Sequence, residues 1–430
     1  MVRGAALALA AWRGDRDVPA EAQRCLAGAA FGLALRLLND ETPAGGIVQE
    51  VFIRLATTQT SPAGTRQPDS CVPGSRTVAP MSLATPRAYR MTAWEQPPAL
   101  VEVPVPVPAA GQVVVRVAGC GLCHSDVAMM AMPAAVGEGL GWQIPFTLGH
   151  ESAGWVYEIG EGVTAVAVGD AVAVASPASC GTCRWCREGR ENACADGLVG
   201  RGYGRDGGLA DLLVVDDVRA LLPTGALDPV LAGPLTDAGA TSHHAVRRVL
   251  PRLRDEGTVV VLGVGGLGGF AVQILRALSP ARIVAIDPDP ARRELAVLYG
   301  ADEVLDGVTE GTGRQLRAVL GPDGADAVLD VVGTDATIAC GVRALASGGA
   351  FGLVGAAGGT LRKPWYGTLP RDGELFTFQG SDLADARAVL DLAAAGRISV
   401  DIVPFSLDDV DDAYAALGTG GLTGRIVVQP

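Results

Sequence analysis

The segment from Thr258 to Asp287 constrains this chain more tightly than any other. An apolar run, Thr258–Leu262, leads into Gly263-Val264-Gly265-Gly266-Leu267-Gly268. That turn opens a helical stretch, Phe270–Leu278, and a second apolar run, Arg282–Ile286, ends in Asp287. Strand, glycine turn, helix and strand make a βαβ unit, and the G-x-G-x-x-G spacing lets backbone approach a pyrophosphate at the helix N-terminus. Among 58 glycines such a pattern also arises by chance, so its place between strand and helix carries the meaning. Asp287 follows Gly263 by 24 residues. A carboxylate there accepts hydrogen bonds from ribose hydroxyls and repels a 2′-phosphate. The expected ligand is NAD, held by Gly263, Gly265, Gly266, Leu267, Gly268 and Asp287.

After Ala238 apolar strands alternate with helical stretches: Val259–Leu262, Ile283–Ile286, Ala291–Leu298, Ala327–Val332 and Phe351–Val354. That alternation predicts a parallel sheet with helices on both faces. Before it, Tyr89–Trp94, Val113–Ala118, Gly154–Ile159, Ala171–Ala175 and Ala210–Val215 read as strands between glycine-rich turns, with Pro97–Pro108 an extended connector. Val410–Leu417 reads as a helix and Gly424–Val428 as a last strand. Residues 1–80 differ in composition and carry no motif, and residues 1–86 are expected to form an extension outside the folded domains. A helix at Ala20–Leu38 and a linker at Thr57–Pro80 are expected within a disordered extension dispensable for activity. The net charge of −13 argues against a nucleic-acid partner. No apolar run reaches the roughly 18–20 residues of a membrane span.

Nine cysteines are present, four of them in Cys180-x2-Cys183-x2-Cys186-x7-Cys194. Four thiolates close a tetrahedral zinc shell without an open position, so this site reads as structural. Arg184, Arg187 and Arg190 are interleaved to offset its charge. Clustered thiols at metal spacing point to a reducing, cytoplasmic setting rather than a disulfide scaffold. A second constellation is dispersed. Gly121-Leu122-Cys123-His124-Ser125-Asp126 offers a thiolate and a hydroxyl, and Gly149-His150-Glu151 an imidazole and a carboxylate. A catalytic zinc takes about three protein ligands and leaves a position open; Cys123 and His150 are two of them. Cys120 reads as a small buried residue.

Together these motifs resemble the zinc-dependent medium-chain alcohol dehydrogenases. The resemblance spans residues 89–430. Pro234-Leu235-Thr236-Asp237-Ala238-Gly239 matches the segment where most members carry the third catalytic zinc ligand as cysteine; here that position is Asp237, as in some members of the bacterial secondary-alcohol dehydrogenase branch. The resemblance implies an α/β fold: a GroES-like β-barrel catalytic domain (87–238, resumed at 376–430) around a Rossmann doubly wound NAD-binding domain (239–375). It implies two zinc ions per chain, one held by Cys123, His150 and Asp237 and one by the four-cysteine lobe. It implies reversible hydride transfer between a primary or secondary alcohol and NAD, in a homodimer or homotetramer.

By the same resemblance Ser125 starts the proton transfer, Asp126 orients His150, and Glu151 lies beside the metal. His124 and Arg425 would contact the pyrophosphate, Arg292 the adenosine ribose, and Val354 with Gly355 the nicotinamide. The histidine that ends the proton relay in many members is replaced by Ala128. Trp142, Ser176 and Trp365 are pocket candidates. A polyol or amino-alcohol dehydrogenase, an enzyme that retains its NAD, and a non-enzymatic crystallin-like protein are the competing readings.

Overall fold

The strands before the glycine turn are β1 (Arg87–Met91), β2 (Ala99–Glu102), β3 (Val113–Gly121), β4 (Phe146–Thr147), β5 (Glu151–Ile159), β6 (Ala171–Val174), β7 (Gly200–Arg201), β8 (Gly204–Arg205), β9 (Leu212–Val215) and β10 (Leu221–Pro223). Then come β11 (Thr258–Leu262), β12 (Arg282–Asp287), β13 (Glu303–Asp306), β14 (Ala325–Asp330), β15 (Leu345–Leu353) and β16 (Glu374–Phe376), and finally β17 (Ile402–Ser406) and β18 (Arg425–Gln429). This computed structural model describes residues 85–176, 178–361, 364, 366–420 and 422–430. The expected extension, apart from its last two positions, lies outside the described residues, with its helix at Ala20–Leu38; so do Cys25, Cys71 and Trp365.

The six strands β11 to β16 pair in parallel in the order β13-β12-β11-β14-β15-β16. Numbered from the first of them, this is the 3-2-1-4-5-6 order of a doubly wound Rossmann sheet, whose ligand crevice lies where the order reverses, between β11 and β14. Its strands are apolar throughout because both faces are covered. Val259, Val261, Ile283, Ala285, Ala327 and Leu329 enter one core; Val260, Leu262, Val284, Ile286, Val328 and Phe351 enter a second on the opposite face. The period of two in the strand sequence thus becomes two cores.

The remaining strands build the GroES-like part. A seven-stranded sheet runs β10-β6-β5-β3-β18-β17, with β9 also on β3, and β2-β1-β4 form a smaller sheet. The first core is continuous from these strands into the Rossmann sheet. The chain re-enters the barrel sheet at Ile402, and β18 lies antiparallel to β3 with Val427 opposite Gly121. That pairing carries Arg425 from the end of the chain to the first zinc-motif segment.

Between the two parts stands the helix Ala238–Val249, with Asp237 at its N-cap. Its Ser242 Oγ donates to Leu267 O at 2.8 Å, inside the glycine turn. Next to it in sequence, His243 Nδ1 and His244 Nδ1 lie 2.7 and 2.6 Å from the two oxygens of Asp385, on the helix Leu383–Ala394. Arg247 donates to Asp385 Oδ1 at 3.0 Å and to Asp382 Oδ2 at 2.7 Å. His244, Asp382 and Asp385 have the composition of a metal site, but the Arg247 guanidinium already supplies the cation. Burial alone would raise the Asp385 carboxyl; the hydrogen bonds from His243, His244 and Arg247 hold it well below the ordinary carboxylate range.

A depressed native pKa stabilises the fold above the unfolded value of about 4 and ceases to as pH falls through the native value. Removing one partner of a buried ionic network costs about 3–5 kcal/mol. Asp385→Asn is therefore expected to lower the melting temperature by several degrees at pH 7, and the gap from wild type should shrink below about pH 4. Thermal unfolding followed across pH checks both.

Candidate active site

Strand pairing assembles the first cluster. Gly121, the last residue of β3, sits opposite Glu151, the first of β5, so Cys123 and His150 leave adjacent strand ends together. Cys123 is the extended N-cap of the helix His124–Met130, and its N–H donates to Asp126 Oδ2 at 3.0 Å. Asp237 arrives from the third direction, at the head of the helix Ala238–Val249. Cys123, His150, Glu151 and Asp237 each present a ligand atom, and these atoms all lie within 4.8 Å of one another.

His150 is gripped from both sides. Nδ1 stands 3.1 Å from Asp126 Oδ1, and Nε2 stands 3.4 Å from Asp237 Oδ2 and 3.4 Å from Ser125 Oγ. A carboxylate beside Nδ1 keeps the proton on that nitrogen and leaves the Nε2 lone pair for a metal. Burial on its own would raise the Asp237 carboxyl; with His150 protonated at Nε2 as well, its hydrogen bond and charge, with Arg425, hold that carboxyl below the ordinary range, and a bound metal would take the place of the Nε2 proton. Burial pushes Glu151 up to about 7, against the pull of Arg425. Glu151 Oε1 accepts from Arg425 Nη2 at 2.5 Å, while Oε2 is buried without a hydrogen-bond partner among the described residues. A thiol, an imidazole and a carboxylate beside a bare buried oxygen are the donor chemistry of a zinc site, so these residues fit the metal.

The cleft expected to take the cofactor adjoins this cluster. His124, Gly265, Gly266, Arg292 and Arg425 line one pocket. A side chain at Gly268 would place its Cβ 1.9 Å from Gly263 O, so the turn closes only with glycine there. Asp287 ends β12 with Oδ2 accepting from Val264 N at 2.7 Å and Oδ1 from Asp289 N at 2.9 Å. Arg292 Nε lies 3.8 Å from Asp289 Oδ2. Val354 and Gly355 both donate their N–H to Asp330 O at 2.9 Å, across the crevice from the glycine turn. Arg425 spans the two halves, since it holds Glu151 and also donates to Leu122 O at 2.8 Å while lining the pocket.

The cysteine lobe forms a separate cluster. Cys180 and Cys186 have sulfurs 3.9 Å apart, Cys183 and Cys186 3.5 Å, and Cys183 and Cys194 3.9 Å. Sulfurs about 2.3 Å from one zinc at tetrahedral corners stand about 3.8 Å apart, whereas a disulfide needs about 2.05 Å. Three backbone N–H groups point at these sulfurs: Cys183 N to Cys180, Cys186 N to Cys183 and Cys180 N to Cys194, at 3.3, 3.5 and 3.4 Å. Arg184 and Arg190 stack on the Trp185 ring. Arg219, which the sequence did not single out, packs its guanidinium on Gly181 instead.

Among known proteins, residues 109–225 match the alcohol dehydrogenase GroES-like domain and residues 266–395 the zinc-binding dehydrogenase domain. The D-arabinose 1-dehydrogenase (NADP(+)) of Saccharolobus solfataricus is 32% identical over 81% of this chain and 99% of its own length. The chain belongs to the zinc-dependent medium-chain alcohol dehydrogenase family. An NAD-dependent alcohol dehydrogenase of Sulfurisphaera tokodaii is 33% identical over 80% of this chain and 100% of its own. The alcohol dehydrogenase structure from Aeropyrum pernix superposes with a TM-score of 0.73 at 29% identity, covering 80% of this chain and 100% of that one.

Beside the cluster of Cys123, His150 and Asp237 stands Tyr203, a residue that motif reading missed. Its hydroxyl lies 3.3 Å from Ser125 Oγ and its ring centroid 4.6 Å from that of His150. Burial pushes its phenol well above the ordinary range. Of the pocket candidates, Trp142 is buried, with Nε1 donating to Leu198 O at 2.7 Å and its ring edge-on to Tyr203. Ser176 is also buried. Cys120 is buried in β3, and burial pushes its thiol up to about 12.

If Asp237 holds the dispersed metal, Asp237→Asn should lower zinc from about two ions per chain towards about one and depress turnover. Cys183→Ser should instead empty the lobe and lower the melting temperature, because metal binding free energy is folding free energy for that loop. Elemental analysis and thermal unfolding check both. An Asp237→Asn protein with both zincs and full activity would remove Asp237 from the site.

Proposed function

We propose that this chain is an NAD-dependent alcohol dehydrogenase that interconverts a primary or secondary alcohol with its aldehyde or ketone. The observation that carries the reading is the convergence of Cys123, His150 and Asp237 with Ser125 on one side of His150 Nε2. Bound zinc would supply a Lewis acid for the substrate oxygen, and bound nicotinamide a hydride acceptor. Cys123, His150 and Asp237 would hold the metal, Glu151 staying beside it on Arg425. Ser125 Oγ is placed to hold the proton the alcohol gives up. Asp126 keeps the His150 ring in one orientation. The cysteine lobe carries a second, structural zinc away from the chemistry. A homodimer or homotetramer and a cytoplasmic location complete the reading; among the described residues no helix is long and apolar enough to cross a membrane.

A sugar or polyol substrate is the second reading, favoured by the D-arabinose 1-dehydrogenase relative. NAD reduction across primary alcohols, secondary alcohols and polyols separates the two. Reduction with none of these classes would contradict both.

For the cofactor, each Asp287 oxygen already accepts one backbone N–H and keeps a free lone pair for a ribose hydroxyl. Its charge opposes a 2′-phosphate. Two frustrated charge-assisted hydrogen bonds amount to about 2–4 kcal/mol in favour of NAD. Asp287→Asn keeps the shape and removes the charge, and should narrow the NAD-over-NADP ratio of kcat/KM by about tenfold or more. Wild-type kinetics with NADP equal to NAD would contradict the assignment.

A further inference from the structure

We propose that Tyr203 is a specificity-determining residue that, paired with Ser125, selects alcohols carrying a second oxygen on the carbon next to the reacting one. The substrate class so defined is the vicinal diol, with the α-hydroxy carbonyl as product. The proposal rests on the dehydrogenase reading above and narrows its substrate.

Tyr203 lies in the short turn between β7 and β8. Gly202 has φ +76, and a Cβ there would come 2.7 Å from Gly149 O, so this turn is pressed against the backbone that carries His150. The ring is fixed by two neighbours. It lies over His150 with centroids 4.6 Å apart and meets Trp142 edge-on at 6.2 Å. A ring held on both sides puts its hydroxyl in one place, 3.3 Å from Ser125 Oγ, which is itself 3.4 Å from His150 Nε2.

A phenol has one donor and spare acceptor capacity, and the single contact to Ser125 at 3.3 Å is long for two hydroxyls. The tyrosine oxygen therefore keeps unused hydrogen-bonding capacity. The gauche oxygens of a vicinal diol stand about 2.8 Å apart, close to an ordinary O–H···O spacing. With the reacting oxygen on Ser125 Oγ, the neighbouring oxygen reaches the Tyr203 hydroxyl, and four oxygens close a ring whose fourth side is the 3.3 Å between the two side chains. A simple alcohol sets a methyl or methylene group against the phenol oxygen instead. A site built to hydrogen-bond a hydroxyl discriminates against the analogue that lacks it. Reaction balance is unchanged: the carbinol carbon loses hydride to NAD and its oxygen loses a proton, while the second hydroxyl is only bound.

The test compares propane-1,2-diol with propan-2-ol in the wild-type enzyme and in Tyr203→Phe, which keeps the ring and removes only the oxygen. The wild type is expected to favour the diol in kcat/KM, and Tyr203→Phe to lower that ratio by about tenfold, the diol losing more than propan-2-ol. Tyr203→Leu, which removes ring and hydroxyl together, should lower the ratio as well. The dissociation constant of each alcohol from the enzyme–NADH complex, which does not turn over, gives the same comparison without activity. A ratio equal in wild type and Tyr203→Phe, by rate or by binding, overturns the proposal. Failure of these two and of every other alcohol class to reduce NAD, while the diol still binds more weakly to Tyr203→Phe, would overturn the dehydrogenase reading and leave the role of Tyr203 standing.

Discussion

Ligand atoms of Cys123, Glu151 and Asp237 are gathered within 4.8 Å of one another around His150, with Glu151 and His150 buried and Cys123 and Asp237 half-buried. Such groups do not attract one another, and burying them together without a cation opposes folding. Arg425 satisfies one oxygen of Glu151 and leaves the other bare. The arrangement therefore favours a positive centre among these side chains, which the fold brings together from several directions. Two come from adjacent strand ends of one sheet and the third from the helix that opens the Rossmann part. The closing strand returns Arg425 to the same place.

The helix Ala238–Val249 ties this chemistry together. It begins on Asp237, bonds the glycine turn through Ser242, and is held at its middle by the Asp385 network. A shift of the glycine turn would thus be felt at Asp237, little more than one helical turn away. The cysteine lobe works by a different logic. Its sulfurs take N–H bonds from their own loop, so the lobe is organised locally. One site depends on the tertiary fold, and the other makes its own.

The parts legible in the sequence were those with a local signature. The glycine turn, the four-cysteine spacing and the doubly apolar strands each declare themselves within a few residues. Other elements were obscured for identifiable reasons. The strand Ile402–Ser406 contains Pro404, which reads as a breaker, yet it lies at the sheet edge where a missing N–H is tolerated. The helix Thr312–Leu320 is flanked by Gly311 and by Gly321 at φ +71, so its surroundings read as loop. Ala99–Glu102 pairs with β1 inside the proline-rich stretch expected to be only extended. Tyr203 was invisible because nothing local marks it: its role comes from contacts with residues 53 and 78 positions away, His150 and Ser125. Arg425 was placed on the cofactor by resemblance, and its hold on Glu151 across 274 positions emerges only in three dimensions.

The most direct measurement is an anomalous difference map collected across the zinc edge from crystals of the zinc-loaded protein. The account predicts a peak among Cys123, His150 and Asp237, about 2.3 Å from the sulfur and about 2.0–2.2 Å from the nitrogen and oxygen. A separate peak should lie among Cys180, Cys183, Cys186 and Cys194. No peak at the first position, or one with the Asp237 carboxylate more than about 4 Å away and Cys120 or Glu151 in its place, would contradict the account.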